Sequence, residues 1–131
     1  MPPQSQKEHN REKGNKFEDI AVKFLLSKDY EIIDRNFYSK RYGEIDIICK
    51  KDDRIIFVEV KGRTDLQYGP GELAVTRNKQ KKLIKSCQYW LFSKKILETE
   101  WQIDVISILQ LANSKDKVVR LKHYKNAVTA L

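Results

Sequence analysis

Apolar residues recur along this chain at two different spacings, and the switches between them mark out its elements. From Gly14 the residues Phe17, Ile20, Ala21, Phe24 and Leu25 fall on one helical face. The pattern then changes to strand: Tyr30 to Phe37, centred on Ile32 and Ile33, then Gly43-Glu44-Ile45-Asp46-Ile47-Ile48, then Ile55-Ile56-Phe57-Val58-Glu59-Val60-Lys61-Gly62-Arg63. The polar Lys51-Asp52-Asp53-Arg54 between the last two reads as a hairpin connection, so these strands are predicted to be antiparallel. A loop follows from Thr64 to Gly71, marked by Gly69-Pro70-Gly71, in a position where loops commonly contact substrate. A second helix is predicted from Thr76 to Leu97, with Leu83, Ile84, Cys87, Trp90 and Leu91 on one arc and Arg77, Lys81, Lys82 and Lys85 on the other. Trp101 to Leu109 and Val118 to Tyr124 read as further strands around the polar turn Asn113-Ser114-Lys115-Asp116. This order predicts an α/β, three-layer fold with a mixed central β-sheet flanked by helices.

Within these elements a few polar residues break the apolar pattern. Alternation along a strand puts Glu44 and Asp46 on one face of theirs and Glu59 and Lys61 on one face of the next, with Val58 and Val60 turned away. Clustered carboxylates make a hard oxygen site suited to Mg²⁺ or Mn²⁺, and Lys61 stands where it could orient a water or neutralise a phosphate. The same charges would also serve as ordinary cross-strand ion pairs on a solvated face. Glu18 projects into the apolar sector of the first helix or to its edge, where a carboxylate needs a partner. Its other reading is an acid near a helix N-terminus, favoured by the macrodipole.

At these residues the chain resembles the PD-(D/E)XK nuclease superfamily and, within it, the YraN-like family of small bacterial proteins predicted to be endonucleases. The resemblance is carried by Gly14-Asn15-Lys16-Phe17-Glu18-Asp19-Ile20-Ala21, Asp34-Arg35-Asn36-Phe37, Gly43-Glu44-Ile45-Asp46 and Phe57-Val58-Glu59-Val60-Lys61-Gly62-Arg63, with Lys79, Ile103-Asp104-Val105-Ile106 and Asn126-Ala127 in matching places. It implies a restriction endonuclease-like core, Asp46 and Glu59 as metal ligands, Lys61 as the catalytic lysine and Glu18 as an additional helix carboxylate. The chain departs from the family where Gln102-Ile103-Asp104 stands in place of Arg-Phe-Asp.

Length and charge narrow the partners. A chain of 131 residues makes one domain, here residues 13–131 after a flexible polar segment over 1–12. The net charge of +8 favours a polyanion, and the stretch from Arg77 to Lys95 holds seven basic residues and no acid. A solubility face usually mixes both signs, so this helix is expected to track phosphates. No apolar run is long enough to span a membrane, and the N-terminus lacks the apolar core of a signal peptide, so a cytoplasmic location is expected. Cys49 and Cys87 are expected as buried apolar residues. The leading expectation is a Mg²⁺- or Mn²⁺-dependent endonuclease on DNA. In it Glu44 supports the metal site, and Arg63, Lys79, Lys81, Lys82 and Lys85 bind phosphates. The alternatives are a non-catalytic nucleic-acid-binding module and a subunit active only with a partner. With no second domain to read sequence, structure-directed cutting is expected, and resolving a branched junction would call for a homodimer.

Overall fold

The computed structural model describes residues 4–64, 76–111 and 118–129. Along the chain lie α1 (Gln4–Ser27), β1 (Glu31–Ser39), β2 (Gly43–Lys51), β3 (Arg54–Thr64), α2 (Arg77–Ser93), β4 (Trp101–Gln110) and β5 (Val118–Val128). The five strands form one sheet in the order β1-β2-β3-β4-β5, parallel between β3 and β4 and antiparallel elsewhere. Parallel neighbours need a crossover, and α2 lies in it.

Alternation along the central strands divides the apolar core in two. Ile47, Cys49, Ile56, Val58, Ile106 and Ile108 pack with Ala21 and Leu25 of α1, whereas Ile48, Ile55, Phe57 and Ile103 pack with Leu83, Cys87, Trp90 and Leu91 of α2. The sheet is therefore covered on both faces, giving the three-layer α/β architecture of a restriction endonuclease-like core. Both cysteines are free and buried.

Boundaries differ from the sequence reading at both helices. α1 starts at Gln4, so most of the lead segment continues the helix through residues that favour it, such as Gln6, Lys7, Glu8 and Arg11. α2 ends at Ser93 instead of Leu97, because Lys95 turns left-handed at φ 59 and the Lys95 and Ile96 N–H groups bond back to the carbonyls of Phe92 and Leu91. This is a Schellman closure, with Ile96 folded onto the core. α1 closes in the same way through Asp29 at φ 67, with the Tyr30 N–H on Leu25. The expected hairpin is present, Asp52 and Asp53 both taking the positive φ of a two-residue turn. The loop residues Asp65 to Gly71 and the turn Asn113-Ser114-Lys115-Asp116 lie outside the described residues.

Candidate active site

The site forms where β1 and β2 turn over. On β1, Arg35 reaches Asp19 of α1 while Phe37 stacks at 6.2 Å on Tyr89 of α2. On β2, Ile47 packs on the α1 side and Ile45 on the α2 side. Asn36 and Asp46 face one another at this break, and Asn36 takes φ 54 to make it. The paired register of β2 with β3 begins only at Ile47↔Val58. Beyond it the Asp46 carboxylate takes over, with Oδ2 accepting the Val60 N–H at 2.8 Å.

Carboxyl groups converge on Asp46. Ligand atoms of Glu18, Glu44 and Asp46 all lie within 4.8 Å of one another. Glu59 lies near enough to feel the Asp46 charge, and Lys61 Nζ stands 3.8 Å from Glu59 Oε1. Crowding carboxyl groups out of water disfavours their charged forms. Burial lifts Glu18 to about 7, with the charges of Asp46 and Glu44 adding to the rise and an Asn36 hydrogen bond and Arg35 opposing it. Burial likewise lifts Glu59 to about 8, reinforced by Asp46 and opposed by Lys61. Asp46 is also raised, burial outweighing its hydrogen bonds from Val60, Glu18 and Glu59.

Such a cluster is short of positive charge. Glu18 Oε2 is buried with no hydrogen bond, and its cation partner, Arg35 Nη2, is 3.9 Å away. An oxygen-only donor set with an orphaned carboxylate oxygen fits a hard divalent cation. Glu18, Glu44 and Asp46 could hold one together, and Glu59 adjoins them through Asp46.

Beside the carboxylates opens a cleft of about 200 Å³ lined by Tyr42, Glu44, Glu59, Lys61, Lys79, Lys82 and Leu83. The first turn of α2 forms one wall, Thr76 capping it by accepting the Lys79 N–H on its hydroxyl. Of the basic residues singled out in the sequence, Lys79 and Lys82 line the cleft. Lys85 stands over the Tyr42 ring at 5.8 Å, Lys81 is exposed on the outer side of α2, and Arg63 is half-buried farther along β3.

Sequence reasoning did not assign roles to Asn36, Arg35, Tyr42 or Gly62. Asn36 and Arg35 serve Glu18 directly. Gly62 lets α1 dock, since a Cβ there would run into the Phe17 ring, the residue next to Glu18. Its only signal was its place in the Glu59-Val60-Lys61-Gly62-Arg63 motif. The Gln102 departure also finds its place. Gln102 accepts from Arg54 and donates to Asp104, both at 2.8 Å, in a network that does not line the cleft.

Residues 17–108 match the Uncharacterised protein family UPF0102. The chain belongs to that family. A UPF0102 protein of Fusobacterium nucleatum is 43% identical over 101 residues, 77% of this chain and 84% of the relative. Another, from Syntrophomonas wolfei, is 43% identical over 83% of this chain and 93% of its own length. A UPF0102 protein of Geobacter metallireducens is 40% identical over 91% and 93% respectively. The match to UPF0102 begins at Phe17 and so takes in every carboxylate of the cluster. Among the described residues no helix is long and apolar enough to cross a membrane.

Proposed function

We propose that this protein is a metal-dependent endonuclease that hydrolyses phosphodiester bonds of DNA. One observation carries the reading: four carboxylates, Glu18, Glu44, Asp46 and Glu59, crowd together beside lysines on a cleft wall. A binding-only protein gains nothing from placing carboxylates where a polyanion must approach.

Asp46, with Glu59 and the neighbouring Glu18 and Glu44, would hold Mg²⁺ or Mn²⁺. When bound, the ion would supply a water of lowered pKa and charge stabilisation at a phosphoryl oxygen. The protein's own part is positional. The Val60 N–H holds one Asp46 oxygen, and Asn36 and Arg35 hold Glu18. Lys61, kept near Glu59, presents its ammonium to the scissile phosphate or to the attacking water, where charge develops in the transition state. Lys79 and Lys82 grip flanking phosphates from the α2 wall, aided by the positive end of that helix. This reading puts the protein with DNA in the cytoplasm, and structure-directed cutting is its natural form.

The experiment is cleavage of a panel of linear, single-stranded, forked and four-way DNAs with Mg²⁺ and Mn²⁺, run beside Asp46→Ala. Metal-dependent cutting by the wild type that disappears in Asp46→Ala supports the reading. Salt-sensitive binding without cutting on any substrate would favour the non-catalytic module instead.

A further inference from the structure

We infer that Tyr42 is a stacking platform for one unpaired nucleobase, so that the cleft takes single-stranded DNA or the splayed strand of a branch in preference to continuous duplex. The inference rests on the endonuclease reading for where the scissile phosphate lies, and it names the substrate class of that same cleft.

Tyr42 lines the cleft together with Glu44, Glu59, Lys61, Lys79 and Lys82. It is held there by its turn: the Tyr42 N–H donates to Ser39 Oγ at 3.1 Å, Ser39 is buried, and Gly43 follows at φ 101, a backbone few other residues adopt. Lys85 Nζ, 5.8 Å from the ring centroid, fixes the ring from the α2 side by a cation–π contact. The ring is half-buried, so part of it still borders the cleft.

Lysines suffice to bind phosphates, and the Tyr42 hydroxyl could add at most one more bond of that kind, a contribution that Tyr42→Phe removes while keeping the ring. A ring beside phosphate-binding lysines is useful to a base, because every base offers a π-face whatever its identity. In continuous duplex both faces of each base are already covered by stacked neighbours. Only a base that has left the stack, in a single strand or at a branch, can lie on Tyr42. Tyr38 and Tyr89 are also exposed, but neither lines the cleft.

The test uses the full chain, without divalent ion, and oligonucleotides carrying 2-aminopurine at successive positions of a single strand, a fork and a blunt duplex. The wild type should quench 2-aminopurine strongly at one position of the single strand and of the splayed fork. Tyr42→Leu should lose that quench and bind single strand about 5- to 150-fold more weakly, the range of one base–aromatic stack. Tyr42→Phe should keep both, and neither variant should change binding to blunt duplex. An unchanged quench in Tyr42→Leu, or an equal loss on single strand and blunt duplex, overturns the inference. Cleavage with Mn²⁺ on the same oligonucleotides separates the two claims. Quenching that depends on Tyr42 without cutting anywhere sinks the endonuclease reading alone. Cutting of blunt duplex and single strand alike, at the same rate in wild type and Tyr42→Leu, sinks the platform alone.

Discussion

Asp46 and Asp104 occupy matching positions in this fold and have opposite surroundings. Asp104 lies at a register shift between β4 and β5 and Asp46 within the paired register of β1 and β2, and each faces an asparagine with left-handed backbone, Asn126 at φ 52 and Asn36 at φ 54. Asp104 has no exposed surface, yet its oxygens are answered by donors. The Gln102 side chain lies at 2.8 Å, the Asn126 N–H at 2.9 Å and His123 Nε2 at 2.7 Å, and His123 is packed edge-on against Phe24. Asp46 has one backbone donor and the nearby Lys61 ammonium, while the carboxyl groups of Glu18 and Glu59 press on it from the same site. A buried carboxylate surrounded by donors holds a bulge in place. One surrounded by other acids costs stability, and such perturbed clusters gather at functional sites.

The largest effects should come from removing each aspartate in turn. Asp46→Ala should abolish metal-dependent cleavage while keeping or raising the melting temperature, because it relieves repulsion on Glu18 and Glu59. Asp104→Ala should cost about 3–5 kcal/mol in denaturant unfolding, the toll of orphaning the partners of a buried charge. If the two variants lose stability equally, the contrast between the two aspartates is wrong.

Acidity offers a second way to break the contrast. Glu18 and Glu59 are raised from 4.5 to about 7 and about 8, so the folded protein binds more protons than the unfolded chain across that window. Their contribution to stability is therefore full below about pH 4.5 and is lost as pH rises through 7 to 8. The decline should amount to a few kcal/mol, since each tenfold change in proton affinity corresponds to about 1.4 kcal/mol. Melting temperatures of metal-free protein should fall over this range, and Mn²⁺ should restore more of the loss at pH 8 than at pH 6. A metal-free protein whose stability rises from pH 5 to 8 would contradict the mutual repulsion at Asp46.

How much of this was legible in the sequence depended on the range of the interaction responsible. The apolar arcs of α1 and α2, and the hairpin at Asp52-Asp53, follow from neighbours a few residues apart, and they matched. The end of α2 did not, because Lys95 adopts the left-handed turn without the glycine that usually announces it. Strict alternation also failed between Ile45 and Ile47. Their turnover is fixed by Phe37 and Ile45 packing toward α2 while Arg35 engages α1, contacts between elements distant in sequence. The motif residues around Asp46 and Glu59 could be singled out in advance, but Asn36 as a support of Glu18 could not. Nor could His123 as the partner of Asp104, which lies 19 residues away on the neighbouring strand.

A smaller effect should follow at Gly62. Adding one methyl as Gly62→Ala would press on Phe17 and move α1, for about 1–3 kcal/mol of overpacking. Because Phe17 precedes Glu18, the metal-induced gain in melting temperature should shrink as well. An alanine variant with lower stability but an undiminished metal response would confine Gly62 to packing.

The smallest expected effect concerns the cations near each aspartate, and it separates charge that meets DNA from charge that serves the fold. Lys82 lines the cleft near the carboxylates, whereas Arg54 is tied to Gln102 at 2.8 Å and to Glu100 at 2.6 Å in the Asp104 network. Lys82→Ala should leave the melting temperature unchanged and reduce the slope of log affinity against log salt by about 0.7–0.9, the release of one counterion. Arg54→Ala should leave that slope unchanged and cost about 1 kcal/mol of stability, mostly the part-buried bond to Gln102, since the exposed pair with Glu100 contributes little. Lys81→Ala, on the outer side of α2, tests how far the DNA track extends. A slope reduced as much as in Lys82→Ala would mean that phosphates run along the whole basic helix, and an unchanged slope would confine them to the cleft wall. Equal slopes for Lys82→Ala, Arg54→Ala and the wild type would remove the cleft from the DNA path.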